Sequence, residues 1–425
     1  MINKKEKHEN ILSDYRILDL TDDRGFYCGK VLADLGADVI KIEPPGGDPS
    51  RNTGPFYKDI PHPEKSLYWW AYNTSKRGIT LNIETAEGAD IFRRLVKTAD
   101  IVVESFPPDY MENLGLGYPV LSEINPGIIM TSITAFGQTG PYKDWKAPDL
   151  VGCSLGGQSY VTGDDDRPPC RIGYPQAYLH AGNQAASGTL AALYYREVSG
   201  EGQHVDVSMQ ESVAWTLMNV IQFWDLMTFN MFRGGSTRMM GTPRFRVAFP
   251  CKDGFVAFLI AGGQLASISM PALIQWMAEE NRLGAFEDIK DWGAKDWAEK
   301  VDAWAMTQDQ VDPWENSLID FFADKTKAEL YEQAMKRRII LYPVSNTKDL
   351  AENIQLRERD FWVQVEHLEL GETITYAGAP YRMTGTGWNI SRRAPLIGEH
   401  NLEIYKGELG FSDDEMRLLK ETGAI

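Results

Sequence analysis

The sequence is short of sulfur, of histidine and of positive charge. Only 4 of its 425 residues are cysteine (Cys28, Cys153, Cys170 and Cys251), widely spaced and without a CxxC pair. That spacing argues against a disulfide framework or a thiolate metal site and reads as reduced thiols in a cytoplasmic protein. The 6 histidines form no HxxxH or HxH pair, so no bound metal is expected. Lys and Arg total 43 against 60 Asp and Glu, a formal net charge of −17. An acidic surface repels phosphate backbones and anionic lipid, so neither nucleic acid nor membrane is an expected partner. A local pocket of bases can still hold an anionic ligand. No apolar run approaches the length of a bilayer span. The opening MINKKEKHENILSDYR has charges with no apolar stretch behind them, so it is not read as a secretory signal. Internal repeats and low-complexity tracts are absent. So is a GxGxxG after the first strand; GLG at 115–117 is a fragment, which argues against a nicotinamide site.

What is present is alternation. RILDL (16–20) reads as a strand, followed by the polar turn TDDRG. YCGKVLADLGA has helical spacing, and DVIKIE is a second strand closed by PPGGDPSR. RGITLNI, DIVVESF and PGIIMTSITAFG continue the strands, with the amphipathic AEGADIFRRLVKTA between the first two. Strand–helix alternation of this kind predicts an α/β fold with a doubly wound parallel sheet, whose ligands sit at the carboxyl ends of strands. The chain is long for one core, so a second domain is expected. The division expected is a large α/β domain over 1–214, a smaller α+β domain with linkers over 215–340, and a return to the large domain over 341–425. The Met-, Phe- and Trp-rich segment from about Trp215 to Arg244 is expected to be largely buried. Residues 250–263 read as a hairpin, 270–335 as acidic helices, and SDDEMRLLKETG as a final charged helix.

LADLGADVIKIEPPGGDPSR, NTSKRGITLNI, FGQTGPYKDW and the block from Arg171 to Met209 occur in an order that resembles the family III CoA-transferases along nearly the whole chain. The resemblance implies a Rossmann-like sheet that binds CoA, a circular chain path, and two chains threaded as interlocked rings. It also implies a chemistry. An aspartate carboxylate attacks the thioester carbonyl, giving a mixed anhydride and a CoA thiolate, which attacks back to give an enzyme-bound thioester. The acceptor acid then completes the transfer through a second anhydride. A carboxylate suits the task because it is ionised at neutral pH.

Aligned without gaps from Lys146, the family's aspartate position falls on Tyr178. The polar neighbours Tyr174, Gln176, His180, Asn183 and Gln184 supply no carboxylate. A phenol with a reference pKa near 10 is protonated at pH 7 and bulky, so Tyr178 reads as a buried aromatic. Asp164, Asp165 and Asp166 read as a solvated turn, and Asp206 as a strand-end or interface charge. Asp149 reads as a helix-start or loop acid that could orient groups in a pocket. The related racemases carry a histidine before that acid where this chain has Pro148, which removes their acid–base pair as well. Lys76, Lys146 and Arg51 match basic positions that the resemblance associates with the CoA nucleotide. Ser105 and Phe106 occupy a matching strand end, with Ser for Asn, and Asn113 stands where an Arg is often seen. Gly262, Gly263 and Gln264 (in AGGQ) resemble the glycine loop that shields the anhydride.

Within that family the benzylsuccinate CoA-transferases pair two related subunits, one of them without the aspartate. The chain looks like that subunit. This implies a partner subunit bearing the aspartate, and CoA or succinyl-CoA as substrate of the complex, in anaerobic toluene breakdown. Two other readings stay open: an active homodimer using another nucleophile, whether a CoA-transferase or a CoA-thioester isomerase, and a non-enzymatic binder of CoA thioesters.

Overall fold

A computed structural model describes residues 10–231 and 233–425. The chain forms two compact units, one built from residues 10–158, 172–228 and 354–425, the other from 159–171 and 229–353.

The larger unit opens as β1 (Arg16–Leu20), α1 (Phe26–Asp34), β2 (Asp38–Glu43), α2 (Leu67–Tyr72), β3 (Arg77–Thr80), α3 (Ala86–Val96) and β4 (Ile101–Glu104). It continues through α4 (Tyr110–Asn113), α5 (Tyr118–Ile124), β5 (Ile129–Thr134), α6 (Asp149–Leu155), α7 (Ala177–Ser199), β6 (His204–Ser208), α8 (Met209–Trp215) and α9 (Met218–Met227). The strands make one six-stranded sheet in the order β3-β2-β1-β4-β5-β6, with every pair parallel. The order reverses between β1 and β4, so a crevice opens beyond the carboxyl ends of those two strands.

Helices cover both faces, so the inner strands are buried throughout. One core lies under α1 and α7, the other under α3. α7 passes close to α1 because its small residues allow it. A Cβ on Gly182 would lie 2.9 Å from the Tyr27 Cβ and 3.2 Å from the Cys28 nitrogen. The chain later returns to this unit with the hairpin β12 (Trp362–His367) and β13 (Glu372–Ala377) and a last helix over Asp413–Glu421, capped by Ser412. That helix is the charged one expected from the sequence.

The smaller unit contains β7 (Thr237–Met239), β8 (Arg244–Arg246), β9 (Ala248–Cys251), β10 (Gly254–Phe258) and β11 (Leu341–Pro343). β11, β10 and β9 form a three-stranded antiparallel sheet, with the expected hairpin as its β9–β10 arm. α10 (Gly263–Ala266), α11 (Ser269–Glu279), α12 (Ala294–Lys300), α13 (Gln308–Phe322) and α14 (Lys327–Arg337) fill the acidic helical stretch. Its core is aromatic: Phe249 meets Phe322 edge-on at 5.8 Å, and Trp276 meets Phe321 at 4.9 Å.

The expected burial of the Trp215–Arg244 segment is corrected: among its described residues only Met240 and Pro243 are buried. No residue of α9 is buried. Trp215 (60%), Ile221 (60%), Trp224 (54%) and Leu226 (79%) are exposed, an apolar surface whose burial is not decided by local sequence.

Gly182→Val is expected to force α1 and α7 apart. Overpacking of this kind costs about 1–3 kcal/mol, to be read as a lowered midpoint of urea unfolding.

Candidate functional site

Lys41 lies at the centre of β2 and Asp19 in β1, both fully buried. Asp19 Oδ2 accepts from the Lys76 Nζ at 2.8 Å, and Asp19 Oδ1 lies 3.4 Å from the Lys41 Nζ. Burial alone would raise the carboxyl, but the two ammonium groups override it and hold Asp19 down at about 2. Lys76 is pushed below its ordinary value by burial and by the Lys41 charge, against the pull of Asp19. Lys76 also donates to the Asn73 Oδ1 (2.8 Å) and the Phe26 carbonyl (3.2 Å).

Thr21 donates to Asp19 Oδ1 through its amide (3.0 Å) and hydroxyl (2.6 Å), which sets the start of the loop leading to α1. In that loop the Asp22 carbonyl accepts from the amides of Gly25 and Phe26. Gly25 lies so close to Thr21 that a Cβ would fall 2.4 Å from its methyl carbon. The loop turns Asp22, Asp23 and Arg24 outward at the sheet's carboxyl edge.

Asp22 is clamped. Its carboxylate accepts from the Arg24 guanidinium (2.5–3.0 Å) and the Ser105 hydroxyl (2.8 Å), while its amide donates to the same hydroxyl (2.8 Å). Asp23 has no such clamp. Burial, then the neighbouring Asp22 charge, pushes its carboxyl up to about 6.

From the far side comes α7. Its first amides have no intrahelical partner. The Asp149 Oδ1 supplies one, accepting from the Ala177 amide at 2.8 Å and the Tyr178 amide at 3.4 Å. A carboxylate is favourable at a helix N-terminus, and this one anchors Tyr178 at the cavity wall. Burial first, and the Asp23 charge second, push the phenol up to about 12.

Two cavities open along this edge. One, of about 420 Å³, is lined by Asp22, Asp23, Arg24, Lys143, Lys146 and Tyr178, with Phe106 and Trp145 as apolar walls. The other, of about 550 Å³, shares Asp22 and Phe106 with it. Its charged lining residues are Asp22, Glu43, Asp48 and Glu84, with no Lys or Arg among the described residues. Phe106 stacks on Tyr110 at 4.5 Å and forms part of this second wall.

Of the residues expected at a CoA site, the structure brings Ser105, Phe106, Lys146 and Tyr178 to these cavities. Arg51 and Lys76 are placed elsewhere: both are interior, with 1% and 0% of their surface exposed. The Arg51 guanidinium is engaged by Glu43 (2.6 and 2.8 Å), Glu64 (2.8 Å) and the Pro395 carbonyl (2.9 Å), and it lies 3.8 Å over the Trp69 ring. In this arrangement neither base has a nitrogen free for a phosphate.

Asn113 ends α4. Asp206 accepts from the Gln138 amide at 3.0 Å. In the smaller unit Asp165 pairs with Arg244. Gly262 and Gly263 begin the short α10 there, and the Gly263 amide donates to the Val301 carbonyl (3.1 Å). Arg24, Lys143 and Trp145 were not singled out from the sequence. Their signal was position alone: they fall in loops that follow strands β1 and β5. Among the described residues no acid–His–Cys cluster could hold a metal, and no helix is long and apolar enough to cross a membrane.

The CoA-transferase family III model matches residues 12–401. The chain is 36% identical over 414 residues to the succinyl-CoA:(R)-benzylsuccinate CoA-transferase subunit BbsE of Thauera aromatica, covering 97% of this chain and 98% of that one. It is 32% identical over 430 residues to a formyl-CoA:oxalate CoA-transferase of Streptomyces avermitilis (97% and 99%). The crystal structure of a CaiB/BaiF family protein from Brucella suis superimposes with a TM-score of 0.79 at 25% identity, over 94% of this chain and 99% of that one. The fold, the crevice at its switch point and these relatives define an α/β protein of the CoA-transferring kind. The chain belongs to CoA-transferase family III, and CoA thioesters are the substrates of that family.

Two expectations follow from the buried charges. Asp19→Asn leaves two interior ammonium groups without a counter-charge and is expected to cost about 3–5 kcal/mol. Lys76→Met leaves the neutral Asp19–Lys41 pair and costs less, with the order of the two read from urea midpoints. Asp23 gives a pH effect. Its folded carboxyl titrates near 6, above an unfolded value near 3.8, so it weakens folding as pH rises from about 4 to about 6. Asp23→Asn is expected to gain on the wild type across that window, by on the order of 1 kcal/mol after solvent screening. Paired unfolding curves at pH 4 and pH 7 would measure it.

Proposed function

We propose that this chain is the subunit without a nucleophile in a two-chain CoA-transferase that moves CoA from succinyl-CoA to a dicarboxylic acid. (R)-Benzylsuccinate is the acceptor we favour, in anaerobic toluene breakdown, since it is the acid named for the relative at 36% identity. The observation that carries this reading is Tyr178. It stands at the N-terminus of α7, at the wall of the cavity, as a phenol that stays protonated at pH 7. A protonated phenol does not attack a thioester.

Two further features support the reading. The larger cavity has an acidic lining that is a poor receptor for a nucleotide carrying phosphates. The exposed apolar face of α8 and α9 exceeds the scattered exposure normal for a monomer and suits a partner chain. In this reading the partner subunit bears the aspartate, and the two chains interlock as rings. This chain shapes the partner's pocket and lends it the Gly262–Gln264 loop. Where CoA does meet this chain, Arg24, Lys143 and Lys146 are the bases that line an open cavity.

One observation favours a second reading. Among the described residues Asp23 has no hydrogen-bond partner on another side chain, and it lines the same cavity, so it is a carboxylate that could act as the nucleophile of an active homodimer.

The test is CoA transfer from succinyl-CoA to benzylsuccinate, by the chain alone and with its aspartate-bearing relative. Activity in the mixture only is expected, with Tyr178→Phe within about twofold of the wild type. Turnover by the chain alone overturns the proposal, and its loss in Asp23→Asn would then assign the nucleophile.

A further inference from the structure

His400 is fastened to β3 by both its backbone and its ring. Its amide donates to the Gly78 carbonyl at 2.9 Å, and its Nδ1 accepts from the Gly78 amide at 3.0 Å. An amide N–H can only donate, so Nδ1 presents its lone pair and the proton of the neutral ring is on Nε2. Burial, only partly opposed by the Glu399 charge, keeps the ring below its ordinary value and therefore neutral at pH 7.

Nε2 lies 3.1 Å from the Arg392 Nη1. A guanidinium nitrogen has no lone pair to offer. Two N–H donors thus face each other at hydrogen-bond distance with no acceptor between them. Alone that approach is unfavourable; an oxyanion accepting from both makes it favourable.

The surroundings point the same way. Both groups line a cavity of about 390 Å³, with Ser391 and Gln364 as further polar walls and Ile390 and Leu368 as apolar ones. The adjacent Arg393 is already taken, by Glu369 at 2.7 Å and Glu399 at 2.8 Å. Among the described residues Arg392 forms no ion pair, although acids outnumber bases by 60 to 43 in the sequence. Glu366 lines the same cavity without pairing with it. The Ser391 amide donates to the Ser75 Oγ at 3.0 Å, which fixes the backbone next to Arg392.

We infer that this cavity is a binding site for a small oxyanion, a carboxylate or a phosphate, received by the Arg392 guanidinium and the His400 Nε2–H. It shares no lining residue with the cavity at Tyr178, and the inference does not rest on the proposed subunit role. An occupant would tie β12 to the segment around residues 390–400 and, through His400, to β3.

The experiment is calorimetric titration of the full chain with inorganic phosphate and, separately, with succinate, at pH 7 and physiological ionic strength. Saturable binding of at least one anion is expected. Phosphate alone assigns a phosphate site, and succinate alone a carboxylate site. Arg392→Gln alters an exposed side chain and is expected to weaken that binding about tenfold or more. Arg392→Lys keeps the charge but loses the planar fork, and is expected to fall between. Circular dichroism melts without anion check that the variants fold alike. Failure of both anions to saturate, or equal affinity in all three proteins, overturns the inference.

Discussion

A carboxylate held in the interior by two lysines organises the functional end of this molecule. Asp19 is fully buried in β1, one of the two central strands of the sheet, and an ionised acid there is costly unless paired. Lys41 from β2 and Lys76 from the lead-in to β3 supply the pairing, and Lys76 also reaches the Phe26 carbonyl at the start of α1. One set of charges therefore ties β1, β2, β3 and α1 together. The cluster leaves no room for a side chain on the face of α1 that covers it. A Cβ on Gly29 would lie 2.1 Å from the Asp19 Oδ2. The loop that carries Asp22, Asp23 and Arg24 starts from the same point, since Thr21 is bound twice to the Asp19 carboxylate. The position of these three residues at the cavity is thus set from beneath, by electrostatics in the core.

A second interior pair does the same for the chain's return. Arg51 joins Glu43 at the end of β2 to Glu64 and to the Pro395 carbonyl, so residues far apart in sequence meet at one guanidinium above the Trp69 ring. Planar, always charged and able to bind in several directions, arginine suits this task better than lysine. The consequence for function is direct. Two of the three bases that the family likeness marks for CoA phosphates, Arg51 and Lys76, are occupied as structural counter-charges. The cations that line the cavity at Tyr178, Arg24, Lys143 and Lys146, belong to loops, and two of them are paired, Arg24 with Asp22 and Lys143 with Asp109.

Much of this fold was legible in the sequence, because parallel strands buried on both faces read as short apolar runs between amphipathic helices. RILDL, DVIKIE, DIVVESF and IIMTSIT are such runs, and all four became inner strands. The polar residues inside them were the harder part. Lys41 and Glu43 in DVIKIE break the apolar run, and only the three-dimensional neighbours Asp19 and Arg51 explain them. Lys76 and Arg51 could be marked as basic positions, but sequence carries no sign of whether a base faces solvent or a buried acid. The apolar α9 failed for a related reason. MNVIQFWDLM reads as interior, yet whether a face is covered by the same chain or by another is not a local property.

On the proposed reading, the Tyr178 position illustrates how a scaffold can persist when its chemistry has moved to a partner chain. Asp149 binds the Ala177 and Tyr178 amides from outside the helix, so the N-terminus of α7 keeps its place whichever side chain residue 178 carries. A nucleophile can then be lost there without disturbing α7 against α1 or the sheet. Restoring one would not be symmetrical. A carboxylate at 178 would enter a wall that holds Asp22 and Asp23 as well as Arg24, Lys143 and Lys146, and where burial and then the Asp22 charge have raised Asp23 to about 6. A nucleophilic acid must be ionised, a state that Asp22 and Asp23 oppose and the neighbouring bases favour, so its pKa would rest on the balance of the two. On the proposed reading that is tolerable, because the partner chain carries the reaction and this chain contributes surfaces. On that reading, selection for shape without selection for charge at 178 accounts for a complete sheet, an anchored α7, a cavity of mixed charge walled by a phenol, and an exposed apolar helix face.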